Sequence, residues 1–446
     1  MNQENIYQYA EKELKKDADF FRIQSVSAQN KGIQEGVNYL TTTFKQLGAS
    51  EVKVYSEYRN PVVYAFFKGH SDKTLLFYNH YDVQPEDPID EWETDPFEPT
   101  YKDDKVYARG ICDDKGEIVS RLAAVRYYQE NGGLPCNVKF MIEGEEEIGS
   151  PNIDKYVQDA TADLACDALI WEGGGMDEDN NFQIIAGTKG ITSFDVDVNT
   201  ATSDAHSSLA AYLDNAAWRL VQGLASLYGP DRQINVEHFY DGIAHLSDYT
   251  QKQIDTLEQH FDTETIIDTF GVTNGKLPVK KPFYAVMNEP TMTINGLSAG
   301  YEGAGVKTVI PRYAKAKLDC RLVPGQDPEK IAYYIQEQLK HNGFGDLQVH
   351  FNLSEDAHRT PLETEFVQQN YKLAQELFGN KVALIPNQPG AGPMRAFYNH
   401  LQVPIVGFGI HYSGSTPHAP NENIRISDFK QGTYYLVNLV QKFAEE

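Results

Sequence analysis

The sequence contains few cysteines and lacks a long apolar segment. Its four cysteines, Cys112, Cys136, Cys166 and Cys320, have no CxxC spacing, so a zinc ribbon or disulfide framework is disfavoured and a reducing cytoplasm is favoured. No segment approaches the roughly 18 consecutive apolar residues of a membrane span. Residues 1–25 have no apolar signal-peptide core and are typical of an amphipathic surface helix. A secreted protein and a membrane protein are therefore both disfavoured.

Basic residues are also scarce. The 446 residues include 39 basic and 64 acidic side chains, which give a formal net charge of −25. This excess disfavours nucleic acid and anionic membranes as partners. Hydrophobic residues make up 41% of the chain, enough for packed cores, and the length predicts two or more domains. Carboxylates that are not solvated surface groups could instead hold cations.

The first part of the chain alternates between segments typical of strands and of helices. The predicted strands are PVVYAFFKG, KTLLFYNHYDV, CNVKFMIEG and DALIWEGGG, and the predicted helix EIVSRLAAVRYYQENGG ends at glycine. This order predicts an α/β fold with a mixed, largely parallel sheet sandwiched by helices. Functional sites in such sheets gather beyond the carboxyl ends of the strands.

The pattern changes near residue 189. GITSFDVDVNT, YAKAKLDCRLVP and LQVHFNL are strand-like, while residues 208–227 and DPEKIAYYIQEQLKHNG predict helices. These elements predict a smaller α+β sandwich at residues 189–355. The first pattern returns after residue 355 and ends with the helix ISDFKQGTYYLVNLVQKFAEE. The larger domain would therefore comprise residues 1–188 and 356–446, with the smaller domain inserted in it.

Acidic and histidine residues follow two of the predicted strands. In FYNHYDVQP, His80 and Asp82 are two residues apart, so they share one face of the strand, and the carboxylate can orient an imidazole that binds a metal. In EGEEEIGS, a run of carboxylates from Glu143 to Glu147 follows a core strand. Taken singly, a solvated charge run or a histidine in a strand-end turn is the more frequent explanation.

Other positions have the same character. Asp113 and Asp114 lie in YARGICDDKGE, Glu172 directly follows an apolar strand, and His418 lies in the loop STPHAPNENI. For each alone, an exposed turn or an ordinary loop residue is the alternative. Together, two histidines and several carboxylates suit two divalent cations bridged by one carboxylate.

This donor set predicts zinc, with manganese or cobalt as alternatives. Two metals about 3.5–4 Å apart can hold a bridging water, acidify it and polarise a carbonyl. A further carboxylate that is not bound to metal must then move the proton. The expected chemistry is therefore metal-dependent hydrolysis.

Seven motifs of the chain resemble those of a known group of enzymes. HYDVQP, WETDPFEP, ARGICDDKG, EGEEEIGS, GVKTVIP, RLVPGQDPEKI and HAPNENI, in this order, are similar to motifs of the di-zinc exopeptidase superfamily. Its members include carnosinase-type dipeptidases, carboxypeptidase G, acetylornithine deacetylase and succinyl-diaminopimelate desuccinylase. The likeness extends from about residue 55 to the C-terminus.

The resemblance implies a role for each residue of the cluster. His80, Asp113 and Glu172 would hold one metal, and Asp113 would bridge to a second metal. Glu147 and His418 would complete that second site. Glu146 would be the general base and Asp82 would orient His80, while Glu143 and Glu145 would be supporting or surface residues. The Asp113–Asp114 peptide bond is expected to be cis.

The resemblance also implies residues that contact the substrate. His206, in DAHSSLAA of the inserted domain, would reach the oxygen of the scissile carbonyl, often from a partner subunit. Arg321 in RLVP is the candidate for the substrate carboxylate, with Arg395 and the backbone of Gly390 and Gly392 in GAGPMR as further candidates. For both arginines a surface salt bridge is the alternative. The inserted domain would act as a lid and as the dimerisation domain of a homodimer.

We therefore expect a cytoplasmic metallo-exopeptidase or amidohydrolase, a protease that cleaves one amide bond in a small substrate with a free carboxylate. A dipeptide and an N-acyl amino acid both remain open as substrates, because Glu172 is typical of the deacylases and carboxypeptidases whereas the lid motifs resemble dipeptidases. An inactive binding protein on the same fold would lack a ligand or the base, and neither is missing. A di-metal phosphoesterase would need more histidines and a basic phosphate clamp.

Overall fold

The computed structural model describes residues 2–445. Its α-helices are, in chain order, α1 Gln3–Lys16, α2 Ala18–Arg22, α3 Ile33–Gln46, α4 Lys115–Glu130, α5 Ile153–Asp159, α6 Thr161–Leu164, α7 Ala216–Leu227, α8 Asp248–His260, α9 Thr263–Thr269, α10 Pro282–Asn288, α11 Pro328–His341, α12 Glu365–Phe378, α13 Met394–Leu401 and α14 Ile426–Glu445. No helix within residues 2–445 combines the length and the apolar character needed to cross a membrane.

The strands are, in chain order, β1 Glu51–Tyr55, β2 Val62–Phe67, β3 Thr74–His80, β4 Thr100–Lys102, β5 Lys105–Tyr107, β6 Asn137–Glu143, β7 Ala168–Trp171, β8 Gly175–Met176, β9 Phe182–Ile185, β10 Gly187–Asn199, β11 Ala205–His206, β12 Thr291–Ala299, β13 Val309–Ile310, β14 Tyr313–Leu322, β15 Gln348–Glu355, β16 His358–Arg359, β17 Val382–Ile385, β18 Gln388–Ala391, β19 Ile405–Gly407, β20 His411–Tyr412 and β21 Asn423–Arg425. They form two large sheets and two small ones.

The first sheet contains ten strands in the order β1-β2-β6-β3-β7-β19-β9-β8-β20, with β17 beside β9. The central strands β6, β3, β7 and β19 are parallel, whereas β1 and β2 are antiparallel at one edge. Parallel strands bring their carboxyl ends to the same edge of a sheet. His80, Glu143 and Glu172, at the ends of β3, β6 and β7, therefore lie at one edge.

Helices cover both faces of the first sheet. Successive residues of β3 point to opposite sides, as the pleat requires. Leu75 and Phe77 pack with α1, α3, α4, α12 and α14, whereas Leu76 and Tyr78 pack with α5, α6 and α13. The predicted α/β class, with a mixed sheet between helices and a second sheet, is confirmed.

The second sheet contains six strands, and the four in the order β12-β14-β10-β15 are antiparallel. Phe194, Val196 and Val198 of β10 face a core formed with α7 and α11. The intervening residues Asp195 and Asp197 face the uncovered side of the sheet, as the predicted alternation requires. The first residues of β10 pair with β16 and β18, the other two strands of this sheet. Only Ala186 separates β10 from β9 of the first sheet, so the chain passes directly from the first sheet into the second.

The prediction of one helix over residues 208–227 is wrong at its start. Ser207–Leu209 forms a 3₁₀ turn, and α7 begins only at Ala216. The Asn215 side chain accepts hydrogen bonds from the backbone N–H groups of Ala217 and Trp218, at 2.8 and 3.3 Å. This N-cap satisfies donors that would otherwise have no partner, so the helix starts after it.

Helices α8 and α10 lie within residues 189–355 in sequence but pack beside the first sheet. Ile254 of α8, together with Phe283 and Met287 of α10, shares a core with Ile185 of β9 and Ile385 of β17. Part of the inserted segment therefore contacts the sheet that carries the acidic cluster. The domain limits at residues 189 and 355 stay a prediction.

Candidate metal centre

Loops at the carboxyl edge of the first sheet carry the predicted ligands. His80 ends β3, Asp113 lies between β5 and α4, Glu147 lies in the 3₁₀ turn Glu146–Ile148 after β6, Glu172 follows β7, and His418 lies between β20 and β21. The Asp113–Asp114 peptide bond is cis, as expected. The structure brings these five residues, from distant parts of the chain, into one cluster.

Asp113 is at the centre of this cluster. Its Oδ1 lies 3.0 Å from His80 Nε2, and its Oδ2 lies 3.0 Å from His418 Nε2. His418 Nε2 is also 3.2 Å from Glu147 Oε2. Glu172 Oε2 lies 3.8 Å from His80 Nε2. One carboxylate thus faces two imidazoles, each of which has a second carboxylate beside it.

Two groups of three residues have ligand atoms close enough together to hold an ion. His80, Asp113 and Glu147 form one group, and His80, Asp114 and Glu172 form the other, with all ligand atoms in each group within 4.8 Å of one another. Asp114 is not among the predicted ligands. Its Oδ2 accepts hydrogen bonds from Asn79 Nδ2 at 2.7 Å and from the backbone N–H of His80 at 3.0 Å.

Asp82 supports the cluster through its side chain and its main chain. Its backbone oxygen lies 3.0 Å from His80 Nδ1, and its Oδ1 lies 3.5 Å from the same nitrogen. A carbonyl oxygen only accepts, so Nδ1 carries a proton and Nε2 can offer a lone pair to a metal. The Asp82 carboxylate also accepts hydrogen bonds from the backbone N–H groups of Glu146 and Glu147, at 3.2 and 3.1 Å.

Neighbouring carboxylates raise the pKa of both histidines. Burial alone would lower the pKa of His80, but the charge of Glu172 and the hydrogen bond with Asp113 raise it well above its usual value. Hydrogen bonds with Asp113 and Glu147 raise the pKa of His418 to about 10. The carboxylates therefore create a negative field that favours positive charge within the cluster.

The carboxylates of the cluster fit divalent cations. Burial raises the pKa of Glu146, Glu147 and Glu172. Glu172 Oε2 and Asp114 Oδ1 are buried and have no hydrogen-bond partner within residues 2–445. Desolvated carboxylates this close together are stable in the ionised form only beside positive charge. With two imidazoles, they form the oxygen and nitrogen donor set that zinc-type cations prefer.

Sequence reasoning gave no role to two residues that position the cluster. Gln84 Nε2 donates to Glu147 Oε2 at 2.8 Å. Buried Glu422 accepts hydrogen bonds from the backbone N–H groups of Cys112 and Asp113, at 2.9 and 3.2 Å. Both residues lie inside the motifs HYDVQP and HAPNENI, so their place in those motifs was the available signal.

The other two acidic residues of EGEEEIGS are buried supports. Glu143 accepts hydrogen bonds from Tyr78 and from Ser150 Oγ. Glu145 accepts a hydrogen bond of 2.7 Å from the backbone N–H of Asn60. Because the side chains of both glutamates are almost inaccessible to solvent, they hold the loop that carries Glu146 and Glu147 rather than forming its surface.

Arg321 lies on the second sheet in register with an acidic residue. Ile191 of β10 is paired with Arg321 of β14 on one side and with Glu355 of β15 on the other. Directly paired residues of antiparallel strands share one face. Burial raises the pKa of Glu355 to about 7, and the charge of Glu355 is one of the influences that raise the pKa of Glu146. This face of the second sheet therefore acts electrostatically on the cluster.

The remaining predicted site residues lie outside the cluster. His206 is exposed, and its hydrogen-bond partners within residues 2–445 are Ser208 and Thr308. Arg395 lines a cavity of about 320 Å³, and Glu355 and residues 148–151 also line it. Gly390 belongs to β18, and Gly392 follows that strand. Their roles stay a prediction.

Comparisons with known proteins identify relatives of the chain. Residues 76–442 match the family described as peptidase family M20/M25/M40. A Cys-Gly metallodipeptidase of Schizosaccharomyces pombe is 27% identical over 341 residues, which cover 71% of this chain and 70% of that protein. The human Beta-Ala-His dipeptidase is 27% identical over 387 residues, which cover 84% of this chain and 75% of that protein.

Solved structures show the same fold. An M20 family metallo-carboxypeptidase from Sulfolobus solfataricus superposes with a TM-score of 0.91 and 35% identity, and the match covers 97% of this chain and 99% of that one. Human carnosine dipeptidase 1 superposes with a TM-score of 0.81 and 23% identity over the full length of both chains.

Proposed function

The chain belongs to peptidase family M20/M25/M40 and is a metallopeptidase, and we propose that it is an exopeptidase that cleaves dipeptides with a free C-terminal carboxylate. The observation that carries the proposal is the position of Asp113, whose two carboxylate oxygens each lie 3.0 Å from an imidazole nitrogen, in His80 and in His418. A carboxylate placed in this way can bridge two cations. The dipeptidase names of two relatives support the substrate class.

The residues that would hold two divalent cations, with zinc favoured and manganese or cobalt as alternatives, are His80, Asp113, Glu147, Glu172 and His418. When bound, the cations would lower the pKa of a water and polarise the scissile carbonyl. Asp114 would support the site, because its Oδ2 already accepts two hydrogen bonds.

Glu146 would be the general base, because it occupies the position of the base in the di-zinc exopeptidase motif EGEEEIGS and its carboxylate lies within the cluster. Its Oε2 lies 4.0 Å from His80 Nε2. The Glu146 carboxylate would take a proton from the attacking water and deliver it to the leaving amine. The hydrogen bond from its backbone N–H to Asp82 would hold it in place for both transfers.

Arg321 and Glu355 favour a dipeptide over an N-acyl amino acid. The guanidinium would bind the substrate carboxylate, and the Glu355 carboxylate would bind a free amino group. These two residues are in register on either side of Ile191, so both charges face the same side of the sheet. An N-acyl amino acid has no ammonium group, so a deacylase would not use the Glu355 carboxylate to bind its substrate.

We also propose roles for the other predicted site residues. His206 would stabilise the charge that develops on the carbonyl oxygen, after the second sheet or that of a partner subunit approaches the cluster. Arg395, Gly390 and Gly392 would contact the substrate near the cavity beside residues 148–151.

The general-base proposal is tested with two adjacent variants. Glu146→Ala should keep both metals and lose about 10²–10⁴ in kcat, the usual contribution of general-base catalysis. Glu147→Ala should instead lose or weaken one metal and regain activity at high metal concentration. Metal analysis by mass spectrometry, beside kcat for both variants, decides between them. Loss of metal in Glu146→Ala and retention of two metals in Glu147→Ala would reverse the assignment.

The substrate proposal is tested with matched substrates. A free dipeptide, its N-acetyl derivative and its C-terminal amide are compared in the wild type and in Glu355→Gln. We expect both modifications to raise KM for the wild type, and we expect Glu355→Gln to reduce the preference for the free amine over the N-acetyl form. Equal turnover of the free and N-acetylated peptides would instead support the deacylase alternative.

We propose that the protein acts as a homodimer in the cytoplasm. Ile294 and Leu297 are half exposed on β12, an edge strand of the second sheet, and Trp218 is exposed on α7. Exposed apolar groups on an edge strand are suited to pairing with a second copy. Four free cysteines suit a reducing compartment. Sedimentation of the wild type and of Leu297→Asp tests the dimer, since the charged variant should sediment as a monomer.

A further inference from the structure

A second cavity lies where β16 meets the segment between α7 and α10. It has a volume of about 400 Å³, and it is formed by the loop at residues 240–246, α8, α10, the residues that follow β14, and β16. Its lining residues include Tyr240, Ile243, Leu246, Asn288, Pro324 and Arg359. None of them belongs to the acidic cluster, and we call this space the Arg359 cavity.

Arg359 is partly buried without a carboxylate partner. Its Nε donates to Asn387 Oδ1, and its Nη2 donates to Asn288 Oδ1 at 2.8 Å. Both acceptors are neutral amides, and within residues 2–445 no Asp or Glu forms an ion pair with this guanidinium. A guanidinium has five N–H donors. The two on Nη1 and the second on Nη2 therefore remain available to a group in the cavity.

Other buried arginines of this chain do have carboxylate partners. Arg109 pairs with Glu422 at 2.7 Å, and Arg121 pairs with Glu117 at 2.7 Å. Burial lowers the pKa of Arg359 to about 10, and no carboxylate offsets the effect. An uncompensated buried charge is costly, so such a group is normally paired or binds an anion.

The rest of the lining suits an anion with an apolar body. The lining contains no acidic residue, although the chain has 64 of them. Tyr240 Oη accepts a hydrogen bond of 3.1 Å from the backbone N–H of Ile234, so its own O–H is free to donate. Ile243, Leu246 and Pro324 supply apolar contacts. A zwitterion would find no partner for its ammonium group here.

We propose that the Arg359 cavity binds a small organic carboxylate that has an apolar body, at a site separate from the metal centre. The guanidinium would donate to both carboxylate oxygens through its free N–H groups, a geometry that lysine cannot reproduce. The Tyr240 hydroxyl would supply a further donor. The ligand would contact residues that follow β14 of the second sheet and also α10, which packs beside the first sheet. Binding would therefore connect the two sheets.

Calorimetric titration of the metal-loaded, full-length protein tests the site, with phenylacetate as the probe. We expect one phenylacetate to bind per chain, with phenylacetamide and inorganic phosphate at least about tenfold weaker, since the first lacks the charge and the second lacks the apolar body. Equal binding of phenylacetamide would overturn the anion site. Equal binding of phosphate would overturn the requirement for an apolar body.

Variants then locate the bound probe. Arg359→Gln should weaken phenylacetate binding by at least about tenfold, whereas Arg232→Gln, at an exposed arginine, and Arg321→Gln should leave it unchanged. If Arg359→Gln does not fold, Tyr240→Phe decides, because it removes only one hydroxyl and should weaken binding several-fold. Loss of binding in Arg321→Gln, or wild-type binding in Arg359→Gln and Tyr240→Phe, would overturn the proposal. Neither result depends on the proposed peptidase activity.

Discussion

Asp82 shows how a single carboxylate that is not a proposed ligand can organise a metal centre. Its two oxygens accept hydrogen bonds from the backbone N–H groups of Glu146 and Glu147, and its main-chain oxygen faces His80 Nδ1. Asp82 thus fixes the proposed base Glu146 relative to two proposed ligands, His80 at the end of β3 and Glu147. Such outer partners set ligand orientation and basicity.

We expect Asp82→Asn to weaken metal binding by about 10–100-fold, the usual cost of losing an outer partner. The amide can still accept through its oxygen, but its NH₂ group faces a backbone N–H, so one of the two hydrogen bonds is lost. Competition with a chelator, followed by calorimetry, measures the affinity. Asp72→Asn, at an exposed carboxylate on the loop before β3, is the matched control and should bind metal as the wild type does. Equal affinities of the two variants would exclude the positioning role.

At the scale of elements, the loop that carries Asp113 depends on a residue from the other end of the chain. Glu422 precedes β21, which pairs with β5, and its carboxylate accepts hydrogen bonds from the N–H groups of Gly110, Cys112 and Asp113. It also pairs with the buried guanidinium of Arg109 at 2.7 Å. The pairing of β5 with β21 therefore fixes the loop on which the proposed bridging ligand lies.

Glu422→Ala should destabilise the protein by about 3–5 kcal/mol, because it leaves the Arg109 guanidinium buried without its partner. The midpoint of thermal unfolding should fall by roughly 3–5 °C, read by circular dichroism. Glu93→Ala removes an exposed glutamate 4.0 Å from Lys102 and should change the midpoint by less than about 1 °C. An unchanged midpoint in Glu422→Ala would show that the network around Arg109 does not stabilise the fold.

The sequence was most informative where one element alone decides the structure. The predicted strands that correspond to β2, β3, β6 and β7 and the predicted helix that corresponds to α4 are confirmed, because short apolar runs and terminal glycines are local signals. The sequence does not predict α8, because this helix is polar on average and only Thr250 and Ile254 of its thirteen residues are buried. Glu355 was missed because its relation to Arg321 requires three paired strands. Such relations depend on tertiary structure, which local patterns do not encode.

At the scale of the whole molecule, β10 connects the sheet of the metal centre with the sheet that carries Arg321 and Glu355. Its first residues pair with β16 and β18, and residues 190–199 pair with β14. Gly190 lies at this change of partners. A Cβ atom there would meet Glu355 O at 2.5 Å and Ala357 N at 2.6 Å. The two segments that join the sheets, around Gly190 and around residues 355–357, therefore approach each other as closely as a glycine allows.

Gly190→Ala should consequently displace the second sheet without altering the metal ligands. To reach an ordinary contact of about 3.5 Å, the two segments must separate by roughly 1 Å. A displacement of this size in substrate-positioning residues can cost about 10² in kcat/KM. We expect that loss together with an unchanged metal content, measured by steady-state kinetics and mass spectrometry.

Gly296→Ala is the matched control for this variant. Gly296 lies in β12 of the same second sheet, and a Cβ atom there would have its nearest contact, Lys317 Cβ, at 3.9 Å. The control therefore adds a methyl group to the second sheet without separating any strands, and its kcat/KM should remain close to that of the wild type. If Gly190→Ala also kept wild-type kcat/KM, the position of the second sheet would not limit turnover, and Arg321 and Glu355 could not be the residues that hold the substrate over the metal centre.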